Sequence, residues 1–239
     1  VLGRIGLAWS IAAVLYLNFG VKTRAAIAVA VLAGYGALSA LVAAPDAAGA
    51  GPLTFEGNLA GYIDRQFLPG KLIYGSFDPE GLLSTVPAVV TAMLGMFTGE
   101  FVRRSDIRGG RKTLWMAAAA AALLAAGLAF SGVLPVNKKL WSSTFVCVVG
   151  AYSLGMFALF YYLIDVRGWR RWTLFFRVVG LNSITIYLAQ RIVGFGRISD
   201  FFLGGIASKC PEAVAAVISS AGYVACLLYT SPSPRDMRR

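Results

Sequence analysis

The chain contains no histidine and only three cysteines in 239 residues. Without histidine, neither an imidazole-based metal site nor a Ser-His triad can be assembled from these residues. Cys147, Cys210 and Cys226 have neither the number nor the spacing of a disulfide framework or a zinc site. Charge is scarce as well. Asp, Glu, Lys and Arg make up 14% of the residues against 58% hydrophobic, and mean hydropathy is +0.70. A soluble domain needs more charge than this to cover its surface. Acids are the rarer sign, 11 against 22 Lys and Arg, giving a net charge of +11.

What is abundant is long apolar sequence. A helix needs about 20 mostly apolar residues to cross the hydrocarbon core. Seven stretches qualify: 2–17, 25–43, 81–102, 113–133, 142–164, 174–193 and 212–228, the first and last being short. The expected fold is all-α, a polytopic transmembrane helix bundle of about seven spans whose main partner is the lipid bilayer. Cations cluster in three short loops: Lys22 and Arg24; Arg103, Arg104, Arg108, Arg111 and Lys112; Arg167, Arg170 and Arg171. If each span crosses once, all three loops face one side, which the positive-inside rule makes cytoplasmic. Opposite them, cations such as Arg4, Lys138 and Lys139 are mixed with Asp46, Asp64, Asp78, Glu80 and other acids. No basic stripe with interleaved aromatics is left for nucleic acid.

Residues 1–225 read as one transmembrane domain with a hydrophilic outer loop over 45–80. Val1 already stands at the edge of an apolar run, which reads as an internal fragment of a longer protein. Residues 226–239 begin Cys-Leu-Leu-Tyr-Thr-Ser-Pro-Ser-Pro-Arg-Asp and resemble translated read-through of a sequencing adapter, a non-native tail. Within the outer loop, Leu59, Tyr62, Ile63 and Phe67 recur at helical spacing, with Asn58, Asp64 and Arg65 on other faces. This predicts a short amphipathic helix lying on the surface or over a cavity mouth.

Chemistry is concentrated where that loop meets the third span, in Phe77-Asp78-Pro79-Glu80-Gly81. Acids at a span are paired, hydrated or functional, because an unpaired charge in hydrocarbon costs about 3 kcal/mol or more. One reading makes Asp78 the helix N-cap, Pro79 the first helical residue and Glu80 a first-turn acid favoured by the dipole. The other makes both carboxylates catalytic. Ser84, Thr85 and Pro87 loosen the outer end of this span and offer hydroxyls. Gly95 and Gly99 have the spacing that lets a neighbouring helix approach. The Ala-rich fourth span predicts tight packing. Lys138 and Lys139, in the outer hairpin after Asn137, run against the charge rule and are expected to pair with Asp78 or Glu80. Asn182, in the middle of the sixth span, is either glue between helices or a ligand contact.

Four runs, in order, carry a resemblance: Phe77-Asp-Pro-Glu-Gly-Leu-Leu-Ser-Thr85, Pro135-Val-Asn-Lys-Lys-Leu-Trp-Ser142, Leu163-Ile-Asp-Val-Arg-Gly168 and Gly180-Leu-Asn-Ser-Ile184. Together with the first span they resemble the heparan-α-glucosaminide N-acetyltransferase family, including its bacterial members, over about residues 1–225. The resemblance implies an integral protein of the bacterial inner membrane that moves acetyl from cytosolic acetyl-CoA, as co-substrate and without a metal, to an amino sugar on the far side. It implies Asp78 and Glu80 as candidate catalytic groups, and Ser84, Thr85, Asn137, Lys138 and Asn182 as substrate contacts. Arg103, Arg104, Arg167 and Arg170 would receive the CoA phosphates. The histidine to which the family's reaction is assigned lies upstream of Arg4 and cannot be carried over, so this fragment is expected to be inactive alone. An amino-sugar transporter or permease component is the alternative, since polar residues line both kinds of route. The oligomeric state is left open, a homo-oligomer included.

Overall fold

The computed structural model describes residues 2–230 except 48, 71, 171, 174, 175, 177–179, 181–186, 190, 191 and 209. It forms two compact units, Val1–Arg167 and Gly168–Arg239. In the first, helices α1 (Leu2–Asn18), α2 (Val21–Leu41), α3 (Leu59–Phe67), α4 (Leu82–Arg103), α5 (Gly109–Ala129) and α6 (Ser143–Tyr161) follow in order, and α6 continues into a π-helical turn, Tyr162–Val166. In the second, α7 (Phe195–Ala207) packs against α8 (Glu212–Thr230). Among the described residues all regular structure is helical, apart from an isolated bridge between Ala43 and Asn58.

Among the described residues, four helices are long and apolar enough to cross a membrane: Val21–Leu41, Leu82–Arg103, Gly109–Ala129 and Ser143–Val166. At 1.5 Å rise per residue each is about 30 Å long, the thickness of the hydrocarbon core. Of the other three expected spans, α1 has only 17 residues, the sixth falls largely outside the described residues, and α8 keeps a shorter apolar stretch, Val214–Cys226.

The core of the first unit is built where α1, α2, α4 and α6 meet, with Ala8, Ala12, Ala28, Val89, Val90, Met93 and Val146 buried together. Small residues from α1 and α2 let α4 approach them, as membrane helices require when packing replaces hydrophobic force. Two expectations are corrected here. Gly95 and Gly99 do not mediate a close helix contact, because a Cβ at either would meet nothing within 4 Å. The Ala-rich α5 buries Lys112 near its start and then only Met116, Ala120 and Gly127, and most of its alanines are exposed.

One end of this unit carries Arg24, Glu100 and the 104–108 loop; the other carries Arg4, α3, the 72–82 turn and the 130–142 hairpin. Arg24 and Lys112, read from the sequence as loop cations, are buried. Arg24 donates to Glu100 at 2.8 Å and lies over the rings of Tyr16 and Phe97. Lys112 donates to the Val102 carbonyl at 2.7 Å, satisfying the exposed C-terminus of α4.

Candidate functional site

The acidic corner is a folded turn held from below by α3. Asn58 caps α3 by accepting the Gly61 amide at 2.6 Å. The face that α3 buries is Ala60, Gly61 and Asp64, whereas Phe67 of the expected apolar stripe is exposed. The expected short amphipathic helix is present, and only its buried face is corrected: the helix turns its acid inward. Asp64 accepts the Asp78 amide at 3.2 Å on one oxygen and the Leu82 amide at 3.0 Å on the other.

Asp64 thereby takes the capping role that one reading expected of Asp78. The N-cap position of α4 is Gly81, which has no side-chain cap of its own. A Cβ at Gly81 would come within 2.1 Å of the Asp64 carboxylate, and one at Gly61 within 2.8 Å of the Ser76 carbonyl. Two glycines therefore permit the contact between α3 and the turn. Burial holds the Asp64 carboxyl above the usual carboxylate range, and the two amide donors partly offset that rise.

Asp78 and Glu80 are left half-buried at the corner. Asp78 accepts the Glu80 amide at 2.8 Å, an Asx turn, and its carbonyl accepts from Gly81 at 3.0 Å. Ser84 and Thr85 are buried, and both hydroxyls donate to the Gly81 carbonyl, at 3.2 and 2.7 Å. They tie down the entrance of a helix that carries Pro87 in its second turn, where an N–H donor is lost. Arg65 braces the same turn, donating to the Ser76 carbonyl and forming a bidentate pair with Asp46 at 2.8 and 2.7 Å. That pair holds the exposed Asp46 carboxyl below its usual range.

The hairpin lies against this corner. Asn137 accepts from the amides of Lys139 and Leu140, at 2.8 and 3.4 Å, and its carbonyl accepts from Ser142 at 3.1 Å, so its side chain shapes the turn. Tyr35 of α2 donates to the Leu140 carbonyl, and Ser143 donates to Leu32 at 2.7 Å. Trp141 adopts φ +51°, a strained conformation for a large residue. It is held there by an indole bond to Thr91 at 3.2 Å and by Arg4, whose guanidinium stands 4.3 Å above the ring.

Arg4 joins the two parts. It donates to the carbonyls of Pro79 and Ser84 while stacking on Trp141, and Glu80, Asp64 and Asp78 all lie within reach of its charge. The expected pairing of Lys138 or Lys139 with the acids is replaced by this arrangement. The Lys139 ammonium lies 4.4 Å over the Tyr74 ring, and Lys138 is exposed. Tyr74 in turn stacks on buried Phe77 at 5.3 Å, and Phe55 meets both rings edge-on. Sequence reasoning missed the roles of Arg4 and Asp64. An arginine inside an apolar run and a glycine at a helix start were the signals that each needed a distant partner.

At the opposite end, Arg103 and Arg104 are exposed, and Arg104 pairs with Asp106 at 2.8 Å. Arg167 is exposed and donates to the Tyr162 hydroxyl at 3.1 Å. Arg170 belongs to the second unit, and Asn182 lies outside the described residues. Between α4, α5 and α6 is a groove of about 850 Å³, lined by Gly95, Phe97, Phe101, Trp115 and Phe157 among others.

No family model matches the chain. It is 31% identical over 157 residues to the heparan-alpha-glucosaminide N-acetyltransferase of Homo sapiens, an alignment covering 57% of this chain and 23% of that protein. With the Mus musculus protein of the same name it shares 30% over 155 residues, covering 57% and 24%. The chain is a distant relative of these acetyltransferases and spans about a quarter of their length. Its apolar helices and this relationship make it an integral membrane protein.

Proposed function

We propose that this chain contributes to a membrane acetyltransferase that takes acetyl from acetyl-CoA on the side of Arg103, Arg104 and Arg167 and delivers it to an amino sugar on the side of Asp78 and Glu80. The observation that carries this reading is the convergence of the acidic corner, Arg4 and the Asn137–Trp141 hairpin at one end of the helices, with the exposed arginines at the other. The distant relationship to N-acetyltransferases supports it.

The chemistry divides accordingly. CoA is multiply charged and does not cross hydrocarbon, so the acetyl thioester must be presented within the helices, where the C–S bond breaks as the amide C–N bond forms and CoA leaves as the free thiol on its own side. Exposed arginines are suited to phosphate oxygens, which they bind through charge-assisted bonds. On the far side the sugar amine must lose a proton as it attacks the acyl carbon, and a half-buried carboxylate at Asp78 or Glu80 is placed to accept it. Asn137, Ser84 and Thr85 act as positioning residues: they shape the hairpin and the helix entrance. Lys138 is exposed beside them and is free to meet an anionic group on the acceptor. Where the chain is bacterial, the acceptor side is the periplasm.

The test uses sealed proteoliposomes of the full-length protein, with labelled acetyl-CoA at one face and glucosamine at the other. Acetylated sugar in the trans compartment supports the reading, and Asp78→Asn or Glu80→Gln should lower its rate. Unmodified glucosamine crossing without CoA would instead establish a transporter. Full activity in both variants would reduce the two acids to turn formers.

A further inference from the structure

We infer that the exposed face of Tyr74 is a subsite for a primary ammonium group, which Lys139 fills until the amino sugar's own ammonium displaces it. The inference rests on the amino-sugar reading above and names the residues that receive the sugar.

Tyr74 is presented rather than packed away. It sits in a tight turn closed by its own amide donating to the Phe77 carbonyl at 3.2 Å, with Gly75 supplying the positive φ of +76°. Phe77 is buried and stacks on Tyr74 at an interplanar angle of 26°, while Phe55 packs edge-on against both. The three rings form a rigid mount, yet Tyr74 remains 42% exposed. A cation over a ring is attracted by the negative quadrupole of its face. Asp78 follows Phe77 directly in the chain, so the same turn adds negative potential and strengthens the preference for an ammonium ion.

The occupant in this structure is the protein's own. Lys139 reaches from the hairpin to place its ammonium 4.4 Å from the Tyr74 centroid. Its side chain is exposed, and a lysine stem has four rotatable bonds, so the contact is easily exchanged. A protonated amino sugar offers the same group with the same geometry. On displacement, Lys139 is released beside Lys138 and can meet an anionic substituent on the acceptor. A phosphatidylethanolamine headgroup carries the same chemistry, and the experiment separates the two sources.

The intact chain in lipid nanodiscs is titrated calorimetrically with glucosamine, N-acetylglucosamine and ethanolamine. Lys139→Gln removes the internal competitor and should tighten glucosamine about two- to fivefold, the range expected of one exposed cation–π contact. Tyr74→Leu should weaken glucosamine by a similar factor, and Tyr74→Phe should match the wild type. N-acetylglucosamine, which has no ammonium, should respond to none of these changes. Unchanged or weaker glucosamine binding in Lys139→Gln overturns the inference. So does tightening for ethanolamine alone, which would make the subsite a lipid contact. If Tyr74→Leu fails to fold, Lys139→Gln and Tyr74→Phe still decide the sign. Glucosamine binding as described, with no acetyl transfer by the full-length protein, sinks only the enzymatic reading. Acetyl transfer without the Lys139→Gln effect sinks only this inference.

Discussion

The carboxylate of Asp64 accepts the amide of Leu82 at 3.0 Å across 18 residues of chain, so the short helix α3 caps α4, a helix long and apolar enough to cross a membrane. The second Asp64 oxygen accepts from Asp78 at 3.2 Å and fixes the turn between them. The orientation of the acidic corner thus depends on a residue that contacts no substrate in the proposed reaction.

Replacing Asp64 should therefore destabilise the protein without touching the proposed chemistry. Asp64→Asn keeps one acceptor but turns amide hydrogens toward backbone donors, which leaves at least one buried amide unsatisfied. The expected cost is about 1–3 kcal/mol, read as a lower midpoint of thermal unfolding in detergent. Asp64→Leu should cost more. A midpoint unchanged by both substitutions would contradict the capping role.

That difference should depend on pH in a defined direction. Burial raises the Asp64 carboxyl above its ordinary value, so the folded state holds this proton more tightly than the unfolded state. The contribution is fully present below the unfolded value and is lost as pH rises through the folded one. The stability gap between wild type and Asp64→Asn should accordingly narrow as pH rises through the acidic range. Asp46 works in the opposite sense: its lowered value gives stability that is present above the ordinary carboxylate range and lost as pH falls. Comparing wild type, Asp64→Asn and Asp46→Asn unfolding from pH 3.5 to 7 separates the two.

Glycines that look alike in the sequence should behave oppositely. Gly81→Ala drives a Cβ into the Asp64 carboxylate at 2.1 Å and should be strongly destabilising. Gly95→Ala meets nothing within 4 Å and lies inside α4, where alanine gains about 1 kcal/mol in helix propensity. Unfolding midpoints of the two variants, measured side by side, check the ordering. Equal effects would argue against the close approach of α3 to the turn.

At the other end, Arg24 and Glu100 form a pair in which the arginine is almost fully buried, 5% exposed against 29% for the glutamate. Removing Glu100 leaves a buried cation alone, whereas removing Arg24 leaves an acid that water still reaches. Glu100→Gln should cost about 3 kcal/mol or more, and Arg24→Gln less. Exchanging the two residues should not restore stability fully, since Arg24 also stacks on Tyr16 and Phe97. Unfolding of the three variants tests this asymmetry.

The spans were legible because length and hydropathy are local properties: the expected 25–43, 81–102, 113–133 and 142–164 match α2, α4, α5 and α6 to within a few residues at each end. The partners were not legible. Asp64 reads as the polar face of an amphipathic helix because its acceptors' donors lie 14 and 18 residues away. Asp78 reads as an N-cap because Asp-Pro is a strong local start signal, and only the folded turn shows Gly81 in that position. Arg24 reads as a loop charge because Glu100 is 76 residues distant. The hairpin lysines invited an ion pair with the acids, whereas the corner recruits Arg4 from the first helix and gives Lys139 an aromatic ring.

The proposed transfer requires the acidic corner and the hairpin to share one side of the bilayer while the arginine loop faces the other. With the native cysteines replaced by serine, single cysteines at Tyr74, Lys138 and Arg104 can be challenged with a membrane-impermeant maleimide in sealed, oriented vesicles. The expected result is that positions 74 and 138 label from the same side and position 104 only from the opposite one. Labelling of 74 and 138 from different sides, or of 104 together with them, would contradict it.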